Sequence, residues 1–146
     1  MWRHCHPDVR LLAEALSEEK VRRAALAQLQ IRRRSDGGGD ILVDVARPDL
    51  ESWIVGPSIP TGTDPDIHND EWTCFVLCTP QHLLKAVKRA LQKEPDAIFC
   101  TLTIVGHPLI PHLRVNNQVV QGGPVAILDE EPLNVEPIQE RGIAAG

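Results

Sequence analysis

Apolar residues fall along this chain in short runs separated by turn-forming stretches, and the clearest grouping lies between Glu71 and Val105. Residues 72–78 (WTCFVLC) are rich in β-branched and aromatic types and too few for a buried helix, so they predict a buried strand. Residues 97–105 (AIFCTLTIV) predict another. Between them Thr79 offers a hydroxyl N-cap, and Pro80 stands where its missing N–H has no helical partner anyway. Leu83, Leu84, Val87, Ala90 and Leu91 then recur at helical spacing, while Lys85, Lys88, Arg89 and Lys93 occupy other faces and the C-terminal end. Pro95 stops the helix. A strand, a helix and a strand in that order predict a parallel β-α-β unit with a right-handed crossover.

Upstream, residues 8–34 read as helical. Val9, Leu11, Leu12, Ala15 and Leu16 form one stripe and Val21, Ala24, Ala25 and Leu29 a second. The two stripes are out of line by roughly a third of a turn, and Ser17-Glu18-Glu19 resembles a fresh helix start, so two short helices or one kinked helix are expected. Residues 35–40 (SDGGGD) predict a hinge. Ile41–Val45 and Ser52–Val55 predict strands, whereas residues 56–70, with three prolines and two glycines, are expected to form no regular element. Downstream, residues 113–120 predict a hairpin around Asn116-Asn117, and Val125–Leu128 a last short strand.

The fold expected from this pattern is α+β, or α/β. It has an N-terminal helical element (residues 1–34), a Gly-rich hinge (35–40) and a body (41–131) with a mixed sheet of about five or six strands around one central β-α-β unit. An irregular tail (132–146), extended or disordered, completes it.

Composition adds bounds. At 146 residues with 42% hydrophobic content the chain suits one folded domain. Aromatics make up 3% with no tyrosine, which disfavours a base-stacking surface and hence nucleic acid. The net charge of −5 is unevenly spread: residues 1–34 carry 8 Lys/Arg against 4 Asp/Glu, and residues 35–146 carry 7 against 16. A basic head of this kind can dock on the acidic body or on an acidic partner. No apolar segment reaches bilayer length and the first residues lack a signal core, so no membrane association and a cytoplasmic location are expected. The four cysteines, Cys5, Cys74, Cys78 and Cys100, are expected as free thiols.

Candidate chemistry is sparse. Cys78 precedes a helix N-terminus with His82 in the first turn, so a small cysteine/histidine-dependent enzyme or ligand-binding domain would place Cys78, His82 and perhaps His107 at that strand-to-helix junction. Asp64, Asp66, Asn69, Asp70 and Glu71, with His68 among them, bring oxygen ligands together without the order of a calcium loop. His4-Cys5-His6, Cys100, His107 and His112 lack any zinc spacing. Walker, dinucleotide-binding and nucleophile-elbow motifs are missing from the sequence. The expectation is therefore a non-catalytic interaction or regulatory domain, of adaptor or immunity type, with no metal or cofactor and with a protein partner or self-association. Arg32, Arg33 and Arg34 and the acidic residues Asp64, Asp66 and Asp70 are its candidate contact residues.

Overall fold

A computed structural model describes residues 2–35, 38–47, 53–62, 71–106 and 111–130. In chain order the elements are β1 (Trp2–Cys5), α1 (Val9–Ser17), α2 (Glu19–Arg22), β2 (Ala27–Arg33), β3 (Gly39–Ala46), β4 (Trp53–Ile54) and β5 (Ser58–Thr61). There follow β6 (Trp72–Cys78), α3 (Pro80–Lys93), β7 (Leu102–Val105), β8 (His112–Val115), β9 (Gln118–Val119) and β10 (Pro124–Leu128). One sheet runs β1-β7-β8-β9. The other runs β10-β6-β2-β3-β4, with β5 also on β3, and every pairing in both is antiparallel.

The expectation of an α+β or α/β fold is therefore corrected: the protein is mostly β, with two antiparallel sheets and three helices among the described residues. The central β-α-β unit does not form. Both edges of β6 are occupied, by β2 and by β10, while β7 joins the other sheet between β1 and β8, so α3 crosses from sheet to sheet. A helical connection permits parallel neighbours but does not impose them.

Residues 1–34 are likewise not one helical element. Asp8 caps α1 by accepting from the Leu11 N–H at 2.9 Å, and Val9, Leu12, Ala15 and Leu16 bury the stripe that the sequence showed. The helix breaks at Glu18, as the misaligned stripes require, but α2 lasts a single turn. Residues 27–33 (AQLQIRR) then form the most enclosed strand of the larger sheet. Ala27, Leu29, Ile31 and Arg33 alternate strictly with Gln28, Gln30 and Arg32, a period of two that a helical reading passes over. Leu29 stands opposite Val43 on one side and Val76 on the other, and Ile31 opposite Ile41 and Cys74.

The expected hinge is the hairpin joining β2 to β3. Arg33 pairs with Gly39, and the Arg34 N–H donates to the Gly38 carbonyl at 2.8 Å. A Cβ on Gly39 would lie 2.1 Å from the Arg32 carbonyl oxygen, so the close approach of the two strands requires glycine. Within residues 56–70, β5 forms after all. Pro60 is tolerated because β5 is an edge strand, and its carbonyl accepts from the Asp8 N–H at 3.0 Å. Thr79 begins α3 without a side-chain cap, while Pro80 takes the first helical position as expected. The Asn116-Asn117 turn joins β8 to β9, with Asn116 at φ +56°.

One core collects the inward faces of both sheets together with α1 and α3: Leu12, Leu16, Leu29, Ile31, Val43, Val76, Leu83, Val87, Leu102, Ile104 and Leu113 are all fully or nearly fully buried in it. On the opposite face of the larger sheet, Ala46 and Trp53 pack with Leu26 and Leu77 as a small second cluster. No helix of the described residues is long and apolar enough to cross a membrane. The C-terminal tail expected over residues 132–146 lies outside the described residues.

Candidate functional site

Among the described residues, those singled out from sequence do not converge. Cys78 closes β6 with its side chain wholly inside the core, where burial alone pushes its thiol up to about 12. An imidazolium partner would lower that value, and none of the described residues supplies one. His82 instead lies against the Gly122 turn: a Cβ at Gly122, whose φ is +87°, would fall 2.3 Å from its Nδ1. His107 and the acidic residues Asp64, Asp66 and Asp70 lie outside the described residues. Cys74 and Cys100 are also buried, with thiols raised to about 11 and about 12, chiefly by desolvation. All four cysteines are free. His4 and His6 meet the hydroxyls of Thr103 (3.1 Å) and Thr101 (3.3 Å), and no group of three or more potential metal ligands gathers among the described residues.

The three arginines at the end of β2 are divided by strand alternation rather than forming one patch. Arg32 is exposed and forks onto the Asp40 carboxylate, Nε to Oδ1 at 2.8 Å and Nη2 to Oδ2 at 2.9 Å, and this hydrogen-bonded pairing raises its pKa. Arg33 points to the other face and is buried, and Arg34 is exposed beyond the strand.

What the fold does assemble is a basic surface around α2. The apolar stripes of α1 and α3 pack together, which lays α2 against the start of α3, and the Gln81 side-chain amide donates to the Arg22 carbonyl at 2.8 Å. That bond satisfies a carbonyl which the end of a one-turn helix would otherwise leave open. On one side of α2, a groove of about 340 Å³ has Ala24, Ala25, Ala46 and Ile54 as its apolar lining and Lys20, Arg23 and Arg47 as its cations. On the other side, a groove of about 310 Å³ is lined by Arg22, Gln81, Leu84, Lys85 and Lys88. Among the described residues, neither lining includes a carboxylate. Glu19 pairs with Arg23 at 2.7 Å and Glu18 with Lys20 at 3.8 Å, both in the open where such pairs contribute little. Among the described residues, six cations thus face two carboxylates around α2 on a protein whose net charge is −5.

Sequence reasoning saw the parts separately. The basic excess of the first 34 residues and the lysines on the polar side of α3 were both visible, but only the packing of α1 on α3 brings them together, and Arg47 arrives from the end of β3. No protein-family model, curated protein or solved structure matches this chain.

Proposed function

We propose that this protein is a non-catalytic interaction domain, of the adaptor or immunity type, which holds an acidic segment of a partner protein across the α2 surface. The observation that carries this reading is the pair of grooves flanking α2, whose described lining residues combine cations with apolar surface and include no carboxylate. Cations at the edge of such a groove steer an oppositely charged partner and set its register, while the apolar lining supplies burial for an anchoring side chain. Ala24, Ala25, Ala46 and Ile54 suit an aliphatic or aromatic anchor better than a sugar-phosphate backbone, and the described lining has no aromatic residue on which a base could stack. Catalysis draws no comparable support, because the best-placed nucleophile in the sequence, Cys78, is buried as a neutral thiol.

The test is a fluorescence-anisotropy titration with a labelled synthetic peptide alternating Glu and Leu, run beside a Lys/Leu peptide of equal length. Binding of the acidic peptide alone, weakened about tenfold or more by the double reversal Arg23→Glu/Arg47→Glu, is the expected outcome. Equal affinity of wild type and variant for the acidic peptide would remove the α2 surface from the account.

A further inference from the structure

At the other end of β2, about 20 Å along the strand from the α2 surface, the two sheets meet at a seam. The Gly62 N–H donates to the His6 carbonyl at 2.7 Å, and Pro7 bridges to Thr61, so the chain leaving β1 is tied to the end of β5. Here His4, His6, Arg32, Arg33, Thr61 and Gly62, with Cys5 behind them, enclose a cavity of about 10 Å³, room for one particle the size of a water molecule.

The wall that matters is Arg33. Its residue is 7% exposed, and its Nε and Nη2 groups are buried without a hydrogen-bond partner. Arginine is a charged side chain, and a buried charge without a partner is among the most costly features a fold can contain. Among the described residues of the lining, none supplies a compensating anion. Arg32 is turned onto Asp40, the histidine Nδ1 atoms are engaged with threonine hydroxyls, and the neighbouring Cys5 thiol is raised far above its ordinary range by burial and so stays neutral. Two adjacent N–H groups in a fixed fork are the arrangement that grips an anion from two directions.

We propose that Arg33 holds a single halide-sized anion, chloride in ordinary solution, in this cavity between β1, β2 and the end of β5. The volume sets the size class: a monatomic anion fits with a small relaxation of the walls, whereas phosphate, sulfate or a free carboxylic acid would have to prise the seam apart. The anion completes the coordination of the buried guanidinium and ties the edge of the smaller sheet to the larger one. It is structural, and independent of the α2 surface at the opposite end of the strand.

The experiment compares thermal melting in sodium chloride with melting in sodium gluconate at the same ionic strength, gluconate being too large to enter. The expected result is a chloride-specific rise in Tm of about 4 °C per tenfold increase in concentration above the binding midpoint. Arg33→Met should abolish that rise and Arg32→Met should retain it. A crystal soaked in bromide should show an anomalous-scattering peak within hydrogen-bonding distance of Arg33 Nε and Nη2. Identical melting in chloride and gluconate, a chloride response that survives Arg33→Met, or bromide-soaked crystals with only water at Arg33 would each overturn the assignment. Should Arg33→Met fail to fold, the bromide peak decides it on the wild-type protein.

Discussion

At the scale of single residues, the buried thiols give the most specific expectations. Cys74, Cys78 and Cys100 hold their protons up to about 11, 12 and 12 in the folded chain, against an ordinary value of 9.0. Between pH 9 and 12 the unfolded chain has released protons that the folded chain keeps. Stability is therefore complete below pH 9 and falls as pH rises through that window, by up to about 1.4 kcal/mol per pH unit for each such thiol. Urea midpoints should be level from pH 7 to 8.5 and drop above 9, with a shallower drop in Cys78→Ala than in wild type. The same burial predicts that Ellman's reagent at pH 8 finds the four thiols slow to react until the chain is unfolded. Asn116 gives a second test. Its φ of +56° is strained for most residues, and its Oδ1 accepts from the Thr101 N–H at 2.9 Å. Asn116→Gly should lose only that bond, about 1 kcal/mol, while Asn116→Ala should lose more, because alanine also resists the left-handed conformation. Urea titrations of the two variants rank them.

At the scale of elements, β2 is the strand on which the larger sheet depends, since it pairs along its whole length with β3 on one side and β6 on the other. Leu29 is fully buried between Val43 and Val76, so Leu29→Ala should cost about 2–5 kcal/mol in a urea titration, while the exposed Arg32→Ala should cost well under half of that. This strand is also where the sequence misleads. Its alternation of Ala27, Leu29 and Ile31 with Gln28 and Gln30 is legible once sought, but it follows directly on two helical stretches whose spacing runs into it. Residues 72–78, 80–93, the Asn116 turn and the short strand before Asp129 were legible because each is decided locally, by run length, a proline at the first helical position or a turn residue. Which sheet β7 joins is decided by β1, some hundred residues earlier in the chain, and no local pattern carries that choice. The basic surface around α2 was hidden for the same reason: its cations come from α2, α3 and the end of β3, three elements brought together only by the core.

At the scale of the whole molecule, an acidic protein displays a basic face around α2 among its described residues, and binding of the proposed acidic partner there should be salt-sensitive. Raising ionic strength from 50 to 500 mM shortens the Debye length to a few ångström and should weaken binding of the acidic peptide, mainly through slower association. The fold itself should be little affected, because the ion pairs recorded around α2 are exposed. The chain contains four lysines, and three of them, Lys20, Lys85 and Lys88, line the grooves beside α2, while Lys93 lies exposed at the end of α3 and outside both linings. This distribution supplies an internal control. The most direct measurement is lysine footprinting with an amine-reactive reagent, on the protein in an extract of its own cells at low salt and on the purified protein. The α2 account predicts that Lys20, Lys85 and Lys88 label slowly in the extract and recover in 0.5 M salt, with Lys93 unchanged throughout. Equal labelling of all four lysines in both samples, or protection of Lys93 alone, would contradict it.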